Sequence, residues 1–596
     1  MTVFSASIDH APTAHHPDAP GVARADQAVA LCAALAEMAG GTAMAQGMAA
    51  PSAGLLMPLT VLWSRAHKFD AADAGWADRD RFVLSCARST PLLHALLQLT
   101  GHQQGESGSH EPVLATFADH PDMASAAAPG GQAIAMAVGM ALAERVLAGR
   151  FGKSLVDHRV WVVAEAAELA QGVTQEAVAL AGQFRLDRLV LLADASGGSE
   201  DARARFASLG WAVKSVIADD PADVESALSF AARSRKPSLL WCVPGAAAPL
   251  GQSSPAALEA WRRVGDRGSC ARRAWIKRVA RHGQRGEFER VQAGRLPDAL
   301  HELLATMKQH LGKPPALAGA AAPSAEAVCR SMLEQMEGAA PELLCGEAAC
   351  AAQGGRRVFY SSRPHGMAAC MNGIALHGGA LPIGLAGVGD LIDQLPALRL
   401  AGRLGRRLVH LALDRGNAAP QGEAAEVLAW LRAMPQVHLL QPGCPVEAAE
   451  CLELALRRQD GPSVVVLSGA ELAALRCGPR TNRCAQGGYV LAEAEGKREA
   501  TLIATGPGLS VALRARAALA ARGVAAAVVS LPCWTLFEQQ AAVYQRAVLG
   551  EAPRFGIDDA AGGWERWLNQ AGAFLGAGVR GDQLAQAVRR RLAATA

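Results

Sequence analysis

The sequence contains no CxxC pair, no marked excess of either charge and no unbroken apolar run of membrane-spanning length. Each absence removes a class of protein. The 13 cysteines are scattered. Spacings such as Cys345 to Cys350 and Cys477 to Cys484 suit neither a zinc ribbon nor a disulfide framework, so reduced core thiols are expected. A net charge of +3 over 596 residues offers no basic field for a phosphate backbone, which excludes a nucleic-acid partner. The opening residues, MTVFSASIDHAPTAHHPDAPG, have neither the basic start nor the apolar run of a secretory signal. The most apolar helical stretch, AIAMAVGMALAERVLAG, is broken by Glu144 and Arg145 and is short for a bilayer. No membrane partner is expected, and a cytoplasmic location is.

What is present is material for a large interior. Hydrophobic residues make up 51% and charged residues 19% of the chain, the balance of a globular protein. A chain of this length is expected to divide into about three or four domains. Short apolar runs recur, among them RLVLLAD, PSLLWCV, RLVHLALD, PSVVVLS, EATLIAT and AAAVVSL. They are too apolar for strands with one wet face and suit parallel strands buried on both faces. Their alternation with helical stretches such as PADVESALSFAARS predicts doubly wound α/β domains. Two turn-rich stretches, at 312–326 and 476–488, read as linkers and place three domains at 1–315, 325–480 and 485–596.

One passage poses a chemical question. VWVVAEAAELAQG (160–172) reads as a buried strand ending in a turn before a helix. Such a strand end is where α/β proteins hold a phosphate or a metal, with glycine for close approach and a carboxylate for the cation. Here the turn is Glu165-Ala166-Ala167.

At WADRDRFVLS (76–85) the chain resembles transketolase, the thiamine-diphosphate enzyme that moves two-carbon ketol units between sugar phosphates. LLHALLQLTGH, GQAIAMAVGMALAER, HGMAACMNGIALHGGALP, RRQDGPSVVVLS, GGYVLAEAEG and ATLIATGPG follow in the same order and spacing, over nearly the whole chain. The resemblance implies a diphosphate-binding domain, an aminopyrimidine-binding domain and a C-terminal domain. It also implies a homodimer whose two active sites each draw on both subunits.

Position by position, the resemblance empties the site. The family's two metal-ligating side chains, an aspartate and an asparagine, fall at Ala166 and Ser196. Glu165 and Glu168 are near but start from the wrong backbone positions. The family glutamate that hydrogen-bonds the aminopyrimidine falls at Pro364, between Arg363 and His365. The stacking aromatics fall at Gly387, Asp390 and Asp393, which implies a repacked segment with both carboxylates facing water. Substrate histidines fall at Met48, Arg88, Leu413 and Gly422, and a further one after PSLLWC has no counterpart. His120 of DHPD is the one retained. Phosphate-gripping arginines fall at Glu326 and Gly469. Gly131, Gln132, Asn372, Gly378, Gly379 and Asp414 are kept; all but Asp414 serve the fold as much as a ligand.

A core kept close to the family around an emptied site implies a transketolase-like pseudoenzyme with a binding or regulatory role. It would bind neither cofactor nor metal and would form a homodimer, or a heterodimer that disables an active transketolase. Three other readings stand beside it. One is a thiamine-diphosphate-dependent transketolase with unusual ligands and Mg²⁺ or Ca²⁺. Another is an enzyme refitted for a different small molecule, held by Arg88, His120 and the basic segment ARRAWIKRVARHGQR (271–285) through Arg272. That segment also reads as a solvated helix face. A neutral, decaying duplicate is the third.

Overall fold

A computed structural model describes residues 20–50, 52–85, 87–102, 128, 130–196, 201–245, 252–311, 324–348, 358–414, 423–468, 475, 481–576, 578 and 580–595. His120, Gly422 and Gly469 lie outside the described residues. The chain forms two compact units. The first comprises 1–130, 157–171 and 181–280; the second comprises 131–156, 172–180 and 281–596.

The first unit is built on a parallel sheet of five strands: β1 (Arg81–Leu84), β2 (Val160–Glu165), β3 (Leu189–Asp194), β4 (Ala212–Ile217) and β5 (Ser238–Val243). Their spatial order is β1-β2-β3-β5-β4. As their composition predicts, the inner strands are buried on both faces, and Val162 pairs in register with Leu191. Trp63, Trp161 and Trp261 fill the surrounding core. Two carboxylates from the WADRDRF segment fasten the entry of the sheet. Asp80 accepts from the backbone N–H of Lys68 (2.9 Å) and Arg159 (2.8 Å) and from Trp161 Nε1 (2.8 Å). Asp78 accepts from the Asp157 N–H at 2.7 Å and from Lys68 Nζ at 2.9 Å.

The second unit holds two sheets. The first contains β6 (Leu343–Glu347), β7 (Val358–Phe359), β8 (Leu381–Gly387), β9 (Leu408–Asp414), β10 (His438–Leu440) and β11 (Pro462–Ser468), in the order β10-β11-β9-β8-β6-β7, all parallel. The other contains β12 (Tyr489–Ala492), β13 (Ala500–Ala504), β14 (Ala526–Ser530), β15 (Arg554–Ile557) and β16 (Ala573–Phe574), in the order β12-β14-β13-β15-β16. Only β12 runs antiparallel within it. Between the sheets lies the helix Pro445–Arg457, whose three glutamates are buried. Glu447 accepts from the Gly443 N–H (2.7 Å), Tyr489 OH (2.5 Å) and Ser530 Oγ (2.6 Å). Glu450 takes the N–H groups of Arg483 and Cys484, both at 3.1 Å, and Glu453 takes Lys308 Nζ at 2.6 Å.

The helices 24–45 and 132–151 are each long and apolar enough to cross a membrane by length and composition alone. The second therefore passes a length test that its sequence had seemed to fail. It is buried along most of its length as a core helix of its unit, packed on the helix Pro364–His377. Glycines set that crossing. A Cβ at Gly139 would lie 1.9 Å from the Cys370 carbonyl oxygen, and one at Gly373 would lie 1.8 Å from that of Met136.

Two stability outcomes follow. Gly139→Ala must push the helices apart and is expected to cost about 3 kcal/mol, the upper end of ordinary overpacking. Gly40→Ala, a helical site with nothing within 4 Å, is expected to be neutral or stabilising by about 0.5–1 kcal/mol. Denaturant unfolding of both variants checks the contrast. The second outcome concerns His410, buried on β9 and bonded to Gln394 Oε1 at 2.8 Å. Burial pushes its pKa down to about 3. The unfolded chain takes up a proton below about pH 6.5 that the folded chain refuses, so stability falls as pH drops. Between pH 7 and 5 this one group is expected to remove about 2 kcal/mol. Unfolding free energies against pH should show a shallower slope in His410→Asn.

Candidate functional site

In the first unit, the carboxyl ends of β2 and β3 open on a cavity of about 480 Å³, the edge of a parallel sheet where ligands are usually bound. Ser52, Arg88, Glu165, Ala166, Asp194 and Arg205 are in its wall. Ala166 begins a short 3₁₀ turn, Ala166–Ala170, and offers no side-chain oxygen. Ser196 is exposed, and its N–H donates to Asp194 Oδ1 at 3.0 Å. The other Asp194 oxygen accepts from the Ser52 hydroxyl. Glu168 accepts from Ser85 Oγ at 3.3 Å. Among the described residues no cluster of three His, Cys, Asp or Glu side chains is placed to hold a metal ion. A divalent cation asks for six or more oxygens, or several waters with one or two free carboxylates. Ala166 offers no oxygen and Ser196 turns its N–H to Asp194, which leaves Glu165 and Asp194 as the carboxylates of the wall, too few to form a cluster, so this donor set does not fit a cation shared with a diphosphate.

Arg88 and Arg205 are exposed at the rim, and neither has an ion-pair partner among the described residues. Met48 is half-buried, its N–H on the Ala43 carbonyl at 2.8 Å. Arg272 is not available as a phosphate grip. Its guanidinium is held by Asp70 (2.6 Å) and Asp73 (3.0 Å), and its helix, Gly268–Arg281, is mostly exposed. The segment is a solvated face.

In the second unit, Pro364 is the first residue of the helix Pro364–His377. Proline suits that position because its missing N–H would be unpaired there anyway. It brings no group that can exchange a proton. Two residues on, the Gly366 N–H donates to Glu176 Oε2 at 2.7 Å. His365 is half-buried; burial lowers its pKa below the ordinary range, and Glu176 and Asp393 oppose that only in part. His365 Nε2 and Arg363 Nη1 are buried without a hydrogen-bond partner.

At the end of β8, Gly387 carries no ring. Its N–H donates to Asp390 Oδ2 at 2.8 Å, so one oxygen of the half-buried Asp390 caps the turn, and Asp393 is exposed. Leu413 is buried at the end of β9 and Asp414 is half-buried. Gly131, at φ +72°, precedes the helix Gln132–Phe151; Gln132 is 3% exposed and its Oε1 lacks a hydrogen bond. Asn372 donates to the Ala397 carbonyl at 2.9 Å, which is helix packing. Glu326 pairs with Arg330 at 3.0 Å.

Two residues went unnoticed in the sequence. Asp194 is the acid ending a strand beside the altered turn, a signal visible in RLVLLAD. Glu176 sits in a plain helical stretch with nothing local to mark it, and only the packing on Gly366 reveals it.

Three doubly wound sheets, two all-parallel and one with a single antiparallel strand, define an α/β fold of the type the family models below describe. Three family models match: the transketolase thiamine diphosphate binding domain over 40–260, the transketolase pyrimidine binding domain over 305–473, and the transketolase-like C-terminal domain over 487–585. The chain is 36% identical to a transketolase of Sinorhizobium medicae, covering 88% of this chain and 85% of that one. It is 35% identical to a transketolase of Rhodobacter capsulatus, over 93% and 92%. Among solved structures, the Pichia stipitis transketolase complex with sedoheptulose-7-phosphate superposes with a TM-score of 0.83 at 23% identity, over 96% and 98% of the two chains. The Leishmania mexicana transketolase gives 0.82 at 23%, over 95% and 97%. The chain belongs to the transketolase family.

The Ser52–Asp194 contact makes the cavity wall testable. Ser52→Ala leaves one Asp194 oxygen without its donor and is expected to cost about 1.5–3 kcal/mol. Chemical denaturation of the full chain checks it.

Proposed function

We propose that this chain keeps the transketolase fold without ketol-transfer chemistry and serves as a binding or regulatory protein. The observation that carries the reading is Pro364 at the head of its helix, where the neighbouring carboxylate of Glu176 already accepts from the Gly366 N–H at 2.7 Å. A carboxylate there accepts a hydrogen bond and takes part in proton movement; a pyrrolidine ring does neither. The engaged Asp194 and the ring-free Gly387 support the same conclusion for metal and thiamine diphosphate. The relatives carry the name transketolase, and the proposal is that this member has diverged from that activity. We place it in the cytoplasm, as a homodimer or as a mixed dimer with an active transketolase. The unpaired polar atoms of Arg363 and His365 favour a second chain at that helix end. In a mixed dimer each shared site would lack one contribution, and the partner's activity would fall.

Calorimetric titration with thiamine diphosphate and Mg²⁺, with an active transketolase as control, tests the proposal. No heat at millimolar cofactor and no ketol transfer are expected; micromolar binding would overturn it. Co-expression with an active transketolase should yield a mixed dimer with less than half the activity per active subunit. Failure to co-purify removes the heterodimer.

A second reading has its own observation. Arg88 and Arg205 face the first-unit cavity without partners, as a site refitted for another anionic small molecule would require. It predicts that an Arg88→Ala/Arg205→Ala variant loses a ligand that the parent chain retains through purification, read by native mass spectrometry.

A further inference from the structure

The second unit has a cavity of about 220 Å³ at the opposite end of its larger sheet from the family site. The positions assigned to the family site, Gly387 and Leu413, lie at the carboxyl ends of β8 and β9. This cavity lies where the same strands begin: Gly378 and Gly379 lead into β8, and Arg406 and Arg407 lead into β9. Seven-residue strands set the two ends about 20 Å apart.

Its charge is one-sided. Arg295, Arg406 and Arg407 all line it, and the only carboxylate in the wall is Glu342. That carboxylate is already committed: Arg290 holds both of its oxygens, at 2.7 and 3.1 Å, and Arg150 approaches at 3.4 Å. Arg150 and Arg290 are in turn matched by Glu287. Subtracting these pairs leaves three guanidinium groups around one space, with the already paired Glu342 the one carboxylate in the wall and acting on Arg407 alone of the three. Arg407 is fixed there, donating to the carbonyls of Leu456 (3.2 Å) and Gly294 (2.6 Å). Arg407 is half-buried, and burial lowers its pKa with Glu342 opposing the shift in part. Arg295 and Arg406 are exposed and have no ion-pair partner among the described residues. The side-chain amides of Gln292 and Gln459 complete the polar wall.

Like charges gathered on a concave surface repel unless an anion sits among them. Guanidinium forks match tetrahedral oxyanions in two-point contacts, and amide groups supply further donors. A cation is excluded by the charge. The space admits a phosphate group with a few attached atoms and no macromolecule.

We propose that this cavity binds a phosphate group, either inorganic phosphate or the phosphate of a small metabolite, at a site separate from the family site. Binding there joins the starts of β6, β8 and β9 to the segment 291–296, so occupancy stabilises the second unit.

The test uses the full chain in chloride buffer at fixed ionic strength. Inorganic phosphate and glycerol phosphate are titrated separately by calorimetry, with melting temperature followed in parallel. The parent chain should bind with a sub-millimolar Kd, and Arg295→Ala/Arg406→Ala should weaken binding by about tenfold or more. Both residues are exposed and their removal relieves repulsion, so the ligand-free melting temperature should not fall; Arg407 is left intact because it holds two carbonyls. Tighter binding of glycerol phosphate assigns the site to a phosphorylated metabolite, and equal or weaker binding assigns it to the free ion. No binding by the parent chain at about 10 mM phosphate overturns the proposal. So does equal affinity in the double variant, or a loss that instead follows Arg88→Ala/Arg205→Ala.

Discussion

Carboxylates buried on backbone N–H groups are the interaction on which each unit depends. Taking a carboxylate out of water is costly unless its oxygens are filled, and backbone donors fill them without demanding a counter-charge. Asp80 does this in the first unit, holding Lys68, Arg159 and Trp161 at once and so tying the start of β1 to that of β2. Glu447 and Glu450 do it in the second, where one helix face binds the hydroxyls of β12 and β14 and the turn at Arg483 and Cys484. Each group fixes several chain segments together, so losing one would strand several donors.

This explains how a chain can keep its family's fold while residues at strand ends and turns vary. WADRDRFVLS, the block that first points to transketolase, is structural: its aspartates meet backbone N–H groups, a tryptophan and a lysine. The glycines of the two long helices serve in the same way, because the helices touch where Gly139 and Gly373 leave room. None of these residues lines the cavity at the ends of β2 and β3. Nothing in the fold's stability depends on Ala166, Pro364 or Gly387 having their family identities. Pro364 is even well suited to the first turn of a helix.

The cavities fit this separation. In the first unit, Asp194 has turned from a potential ligand into a local acceptor for Ser52 and Ser196. Arg88 and Arg205 bring positive charge to the rim of the same space. In the second unit, the uncompensated charge lies at the other end of the sheet, among arginines that follow Gly294 and Gly405.

The sequence by itself determined the strand runs, the largely parallel sheets and the family. Apolar runs of strand length and ordered sequence blocks are local signals, and local signals survive without coordinates. Only the tertiary structure decided which polar groups are engaged. Arg272 looked like a phosphate grip until Asp70 and Asp73 were seen to hold it, and Asp390 looked solvent-facing until it was found on the Gly387 N–H. Glu176, Asp194 and the three arginines around the second-unit cavity acquired meaning in the same way. The physical reason is that a charge is defined by its partners, and those partners lie far away in sequence.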